Sequence, residues 1–497
     1  MIRSTQEFRG LLKAARRAGT PLLSVRTADP ASAIAQFTAI VGERSALITW
    51  DLIGGVRGLN KCGNEVVANR YGENTAIGPA DVLATARKLE KDDAVLFVSN
   101  AHRFWDQPDV VQAIWNLRDS FKAGGQSLAL IATPGAVLPT ELQGDVMVLD
   151  EPLPSANELA ELARRLFEDA ELDAPDDATV SACVDALIGL AAFPAEQVLA
   201  LALSKSGVDI ERLWERKRQA VAQTPGLSIW SGTECFEDIG GCETVKRFLS
   251  AVLGGKEAPR VVVFVDEIEK AFAGTGTDLS GVKTEMTGTM LSWMQDANAD
   301  GIVLIGPPGA AKSAIAKAAG NSAGIPTVAF DLTAMQNGIV GGSGERLRTA
   351  LQVIDAISRG RSLWIATCNS IGSLPPELRR RFTLGTFFFD LPSAEERETI
   401  WDIYRTKWNL DGDTPKDEGW TGAEIKECCR KAWRLNLSLT ESANYIVPVA
   451  RSAADQIDRL RQQASGRFLS ASYPGVYETG RDNPAPAGKR MFREVAE

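Results

Sequence analysis

The sequence predicts an α/β protein in which two parallel-sheet domains are each followed by a small helical domain. Three observations lead to this fold class. Short apolar runs alternate with amphipathic stretches in two separate blocks, each block gives way to a segment with i, i+3, i+4 spacing, and landmarks of the first half recur in the second.

At 497 residues, with 44% apolar and 24% charged residues, the chain has room for about three soluble globular domains of average size. It contains no run of about eighteen uncharged apolar residues, so no membrane span is expected. The opening MIRSTQEFRGLLKAARRAG lacks the apolar stretch and cleavage site of a secretion signal, which makes the cytoplasm the default location. Seven cysteines without a CxxC pair, and a single histidine, His102, argue against a disulfide framework and against a zinc site. The net charge of −10 disfavours nucleic acid as the main partner, while leaving room for a local basic groove.

Residues 1–154 supply five expected strands: PLLSVRT (21–27), SALITWDL (45–52), DAVLFVSN (93–100), SLALIAT (127–133) and DVMVLD (145–150). Helices between them make a parallel sheet the economical arrangement. Residues 155–222, from SANELAELARRLFEDAEL onward, carry helical spacing and read as a small helical domain. A connector spans 223–242, a second α/β block 243–392 and a second helical segment 393–465. Residues 466–497, rich in Pro, Gly and charge, read as a tail that stays disordered unless a partner or neighbouring subunit holds it.

The halves align. SLALIATPGAVLPTELQGDVMVLDEPLPSANEL (127–159) lies over SLWIATCNSIGSLPPELRRRFTLGTFFFDLPSAEER (362–397) with two short gaps, sharing a strand, an LPxEL turn, another strand and LPSA. Upstream, VLFVSNAHRF (95–104) lies over VVFVDEIEKAF, which puts Ser99 and Asn100 where Asp266 and Glu267 stand. The chain therefore holds two versions of one architecture, and only the second has catalytic chemistry.

GPPGAAKS (306–313) follows the strand GIVLI and opens a helix, the context a phosphate loop requires. Gly306, Pro307, Pro308, Gly309, Ala310 and Ala311 make the turn, and its backbone N–H groups converge on the phosphates. Lys312 supplies a point charge, the Ser313 hydroxyl reaches Mg²⁺, and Ala314 continues into the helix. Ala311 replaces the glycine that usually precedes the lysine, which is tolerable if this residue keeps a negative φ. Asp266 and Glu267 end the apolar run VVVFV, so the strand tip delivers both carboxylates to the ligand-binding edge of a parallel sheet. Asp266 would hold Mg²⁺ through water and Glu267 would polarise the attacking water. Asn369, ending SLWIATCN, is placed to orient the same water. Arg379, Arg380 and Arg381 repel one another unless anions lie nearby, as the γ-phosphate of a neighbouring subunit would; the first half reads QGD at that place.

Together these residues resemble the AAA+ ATPase family of P-loop NTPases over about residues 236–465. The resemblance rests on GPPGAAKS, VVVFVDEIEK, the sensor-like IATCN, the arginine run in LRRRF, TGAEI (421–425) and FEDIGG (236–241). It implies ATP and Mg²⁺ as cofactors and two P-loop-NTPase-like domains, the first degenerate. It also implies backbone near Ile239 and Gly240 lying against adenine, and Gly422 and Ala423 of the helical lid approaching the nucleotide. A homo-oligomer is expected, a ring or helical assembly with a hexamer foremost, remodelling a protein partner. A nucleotide-set scaffold or switch, and a nucleic-acid remodeller, are the alternatives. The two-part layout is also similar to an uncharacterised AAA ATPase group of plastids and cyanobacteria.

Two departures stand out. The carboxylate strand and its helix VKTEMTGTMLSWMQD precede the loop strand, the reverse of the family's order, and the sheet is expected to restore the family's spatial arrangement. NGIVGGSGERLRTAL (337–351) resembles a pore-loop region, yet Ile339 stands where threading motors present an aromatic side chain. His102 is expected at a helix start or on the surface. Cys428, Cys429 and the tryptophans of LSWMQD and CCRKAWRL are expected to pack helical core faces.

Overall fold

The computed structural model describes residues 4–42, 44–72, 78–89, 92–272, 282–297, 299–336, 342–370, 372 and 376–480. The pore-loop-like residues 337–341, Ile339 among them, lie outside the described residues, as do Leu374 and Pro375 of the LPPEL turn. The chain forms two compact units, Met1–Thr224 with Gly341–Ala356 and Pro225–Val340 with Ile357–Glu497. Among the described residues, no helix is long and apolar enough to cross a membrane.

In the first unit, β1 (Leu22–Arg26), β2 (Ala46–Asp51), β3 (Gly55–Gly58), β4 (Ala94–Val98), β5 (Ser127–Ala132) and β6 (Met147–Asp150) form one sheet in the order β3-β2-β4-β5-β1-β6. Every pairing is parallel except β2 with β3. The central strands are apolar along their length because both faces are covered. Phe8, Leu12 and Phe37 pack one side, and Ile114, Leu117 and Phe121 the other. The edge strand β3 goes beyond the five expected: GVRG has no apolar run, and its pairing depends on a turn pinned by the Asp51 carboxylate, which accepts from the Ile53 N–H at 3.0 Å.

Helices Ala156–Asp169, Asp177–Leu187, Ala192–Ala202 and Ile210–Ala222 follow, with β7 (Leu203–Ser204) and β8 (Gly207–Val208) as a short antiparallel ribbon. The first of these helices begins with a reciprocal capping box between Ser155 and Glu158. The helix Gly342–Ser358, up to Ala356, belongs to this unit too, and there the Thr349 hydroxyl donates to Pro134 O at 3.1 Å.

In the second unit, β9 (Leu227–Ile229), β10 (Val261–Val265), β11 (Asp300–Ile305), β12 (Thr327–Phe330), β13 (Ser362–Cys368), β14 (Thr386–Phe388) and β15 (Leu469–Ser470) take the order β15-β14-β11-β13-β10-β12-β9. Two edges differ from what the sequence predicts. The connector adds β9 antiparallel to β12. The start of the tail adds β15 parallel to β14, held by the chain itself: Ala471 O accepts from Thr244 and Val245 N–H at 3.1 Å, and the Tyr477 hydroxyl donates to Asp390 at 2.6 Å. Buried Tyr473 and Tyr477 supply the apolar area that offsets the ordering of a Gly- and Pro-rich segment.

The lid helices Ala394–Trp408 and Gly422–Leu435 enclose Trp401, Trp420, Ile425, Cys428 and Cys429. Trp293 is buried as well. Trp433 is not: the stripe Ile425, Cys428, Cys429, Ala432 faces inward and leaves position 433 outside it, 59% exposed. His102 lies half-buried on the short turn Ala101–Phe104, edge-on to Trp105.

The two sheets share a spatial order. β2-β4-β5-β1-β6 of the first corresponds to β12-β10-β13-β11-β14 of the second, with β4 and β10, and β5 and β13, matched by the sequence alignment. In the first unit the strand beside the sensor-like strand comes first in the chain; in the second its counterpart β11 comes after β10.

Candidate active site

β10, β11 and β13 are neighbours and parallel, so their C-terminal tips open on one edge of the sheet. Each tip delivers a separate chemical function there: the acidic pair from β10, the glycine- and proline-rich turn from β11, and Thr367 and Asn369 from β13.

The turn 306–311 is shaped by two left-handed residues, Gly309 (φ 80°) and Ala311 (φ 67°). A Cβ on Gly309 would stand 2.8 Å from the Thr421 hydroxyl, so the glycine is required by both conformation and space. The negative φ expected for Ala311 is not what the backbone adopts. Reversing the turn into the helix Lys312–Ser322 forces this residue into the left-handed region, at a cost of roughly 1 kcal/mol for an L-residue with a side chain. No side chain caps that helix, so the N–H groups of its first turn and its dipole are directed at the cleft, an arrangement that suits an anion.

Lys312 is 6% exposed, and its ammonium donates to Gly306 O and Pro307 O, both at 2.7 Å. Burial pushes its pKa down to about 8, opposed first by the carboxylate of Glu269. The Ser313 hydroxyl donates to Asp266 Oδ1 at 2.8 Å. A serine hydroxyl and a carboxylate oxygen at this separation are hard donors that suit Mg²⁺.

Thr367 ties the acidic pair to β13. Its hydroxyl donates to Asp266 Oδ1 at 2.5 Å and accepts the Glu267 N–H at 2.9 Å, fixing Glu267 in a left-handed backbone conformation (φ 46°). Asn369 holds two carboxylates at once. Its side-chain amide donates to Glu267 Oε1 at 3.1 Å, and its main-chain N–H donates to Glu269 Oε1 at 2.9 Å. Lys270 forms an ion pair with Glu267. Glu269 is buried, and its second oxygen has no hydrogen-bond partner among the described residues.

The resulting cleft has a volume of about 350 Å³. Pro308, Gly309, Ala310, Ala311, Lys312, Ser313 and Ala314 line one side, with Asp266, Glu267 and Asn369 beside them. Ile239, Gly240, Gly422 and Ala423 line it too, so the cleft gathers elements far apart in the chain. The lid helix Gly422–Leu435 meets the turn directly, Ala423 N–H donating to Gly309 O at 3.4 Å.

The three arginines do not line this cleft. Arg380 is exposed, Arg381 donates to Gln295 at 2.8 Å, and the Nε of Arg379 is buried without a hydrogen-bond partner among the described residues.

Five residues of the cleft or its walls, Thr367, Glu269, Ile400, Tyr404 and Lys426, are not singled out by the sequence. Thr367 carries a signal all the same, since it sits two residues before Asn369 on a strand and so faces the same way. Tyr404 and Lys426 line the cleft from lid helices, with the Lys426 ammonium 5.9 Å from the Tyr404 ring centre. No local motif marks them.

Comparison with known proteins agrees with this geometry. Residues 6–151 match the family model described as the N-terminal domain of SpoVK-like AAA ATPases, and residues 157–224 match the second domain of the same group. Residues 302–358, from the loop strand to the helix before β13, match the ATPase family associated with various cellular activities (AAA). Asp266 and Glu267 lie upstream of that match. The chain is 24% identical to the AAA domain-containing protein ycf46 of Guillardia theta over 505 residues, covering 89% of this chain and 90% of that one. It is 25% identical to the ycf46 protein of Trieres chinensis over 491 residues, 86% and 90% of the two chains. A shorter likeness, 34% over 100 residues, links 18% of the chain to 8% of the Tat-binding homolog 7 of Caenorhabditis briggsae. With a loop, acidic pair and sensor-like strand converging on one cleft, and these matches along both halves, the chain belongs to the AAA ATPase family.

Proposed function

We propose that this protein is a Mg²⁺-dependent ATPase that couples ATP hydrolysis to the remodelling of a protein partner. The observation that carries the proposal is the contact between Ser313 and Asp266, which brings the loop and the acidic pair to one point. In this reading the N–H groups of the turn 306–311 and the first turn of the following helix hold the phosphates, and Lys312 leaves its carbonyl partners to pair with them. Mg²⁺, held by Ser313 and Asp266, would neutralise charge on the β- and γ-phosphates. Glu267, aimed by Asn369, polarises the attacking water. Ile239 and Gly240 sit against the base, and Gly422 and Ala423 bring the lid down on the nucleotide.

The arginines Arg379, Arg380 and Arg381 would act on a neighbouring subunit's γ-phosphate, which fits their absence from the lining of their own cleft. The working form is then a homo-oligomer, a hexameric ring or helical turn, in the cytoplasm. The second unit is an ordinary site with a displaced strand, and the first unit of the same chain, with the matching spatial order and its loop-equivalent strand leading, supports that reading. The test is ATPase rate per subunit against protein concentration, with Arg380→Ala and Arg381→Ala beside wild type. The proposal expects the rate to rise with assembly and to fall at least about tenfold in one of the variants. A concentration-independent rate untouched by both changes would point to a monomeric enzyme.

A second reading has its own support. Lys270 pairs with Glu267, and if it keeps that carboxylate occupied during turnover, hydrolysis is slow and bound nucleotide sets assembly instead. Replacing Glu267 by Gln then leaves partner release unchanged.

A further inference from the structure

We propose that Asp29 is a built-in stand-in for a nucleotide phosphate, holding the cleft of the first unit closed without nucleotide. This inference concerns a site outside the one assigned to hydrolysis; the comparison with a phosphate rests on that reading, and the bridge made by Asp29 does not.

The first unit keeps the frame of a nucleotide cleft. β1 occupies the place of β11 in the shared spatial order, and the helix after each carries the same four residues near its start, SAIA at 32–35 and at 313–316. Ser32 therefore matches Ser313, and Ala31 matches Lys312. The first lid helix opens on a capping box in both units, Ser155 with Glu158 and Ser393 with Glu396, and Leu162 and Ile400 line their clefts from matching positions in these helices. In the helices Ala192–Ala202 and Gly422–Leu435, Phe193 matches Ala423 and Glu196 matches Lys426. The first cleft has a volume of about 420 Å³, comparable with the second.

Its charge is inverted. The two lysines of the second cleft are replaced by Ala31 and Glu196, and Asp29, Glu151, Glu158 and Glu161 line the space against, among the described residues, the one guanidinium of Arg165. A triphosphate would enter a field of its own sign, with no loop lysine to receive it.

The place a phosphate would take is filled from within. Asp29 caps the helix Pro30–Val41, its Oδ1 accepting from the Ser32 N–H at 3.1 Å, while its Oδ2 accepts from the Phe193 N–H at 3.1 Å. One carboxylate thus joins the positive ends of two helices, the loop helix and the lid helix, which is the bridge that a bound phosphate would make. The Ser32 hydroxyl is engaged as well, donating to Glu151 Oε1 at 3.0 Å as Ser313 donates to Asp266. The first unit is therefore closed in every nucleotide condition and gives the chain a constant platform.

The test is amide hydrogen exchange on the full-length protein, wild type and Asp29→Ala, with and without MgATP. Loss of a charge-assisted bond at a helix end should speed exchange at Phe193 and the first turn of its helix by about tenfold or more. Asp29→Asn, which keeps one acceptor oxygen, should fall between the two and serves if Asp29→Ala does not fold. In wild type, MgATP should leave residues 29–41 and 191–202 unchanged. Unchanged exchange in the variants, or MgATP protection of those segments in wild type, would overturn the proposal. MgATP protection of Lys312–Ser322 is read in the same experiment. Its absence would count against the hydrolysis site, while the variants alone decide whether Asp29 joins the two helices.

Discussion

The Ser313 hydroxyl donates to Asp266 Oδ1 at 2.8 Å, although forty-seven residues separate them and the acid comes first in the chain. A parallel sheet makes this possible. Chemistry at its edge depends on which strand tips are neighbours, and β10 and β11 both flank β13. The connections between tips can be rearranged without moving the tips, provided each crossover keeps its hand.

Replacing Glu267 by Gln should lower kcat by about 10²-fold or more while leaving ATP affinity within roughly threefold, because in the proposed role the carboxylate acts on the water and not on the nucleotide. Phosphate release and equilibrium nucleotide binding, measured on the same preparation, check both halves of the statement.

Thr367→Val removes the hydroxyl that holds Asp266 and the Glu267 backbone together. We expect kcat to fall about 10- to 100-fold with a smaller change in KM, and Thr367→Ser to restore most of the loss. An equal loss in the serine variant would show that the methyl group, not the hydroxyl, matters.

Nucleotide affinity should fall as pH rises through about 8. Burial lowers the Lys312 pKa to about 8 in the free protein, and pairing with phosphate raises it, so binding above that pH must take up a proton. Titrations between pH 7 and about 9.5 test this, and Lys312→Arg should flatten the dependence, since guanidinium keeps its proton.

Most strands were legible because each is a short apolar run ended by a turn, and the loop and acidic pair stood out as candidates because their residue types are tied to phosphate and metal chemistry. What escaped the sequence depends on tertiary contact. The φ of Ala311 is imposed by the turn around it, and β9 and β15 become strands only where β12 and β14 offer an edge. Thr367 gains its role from a neighbour a hundred residues away, and Trp433 lies outside a stripe that is visible only once the lid core is known.

Glu151 provides a stability prediction for the first unit. Burial raises its pKa to about 7 from an ordinary value of 4.5, so its ionised form is disfavoured in the folded state. The sign follows: its stabilising effect is full below about pH 4.5 and is lost as pH rises through about 7. Glu151→Gln should therefore stabilise the unit at pH 8, by on the order of 1–2 kcal/mol, and the gain should vanish near pH 4.5. Thermal melts of both proteins across this range give the comparison.

Everything proposed for the second unit requires that one MgATP bind between the reordered strand tips, and crystals of the Glu267→Gln variant grown with MgATP would show whether it does. We expect one triphosphate in the second unit, wrapped by residues 306–313, with the metal between Ser313 and Asp266 and Lys312 turned from its carbonyls to the phosphates. Nucleotide bound elsewhere, or Ser313 still bonded to Asp266 with no metal between them, would contradict this.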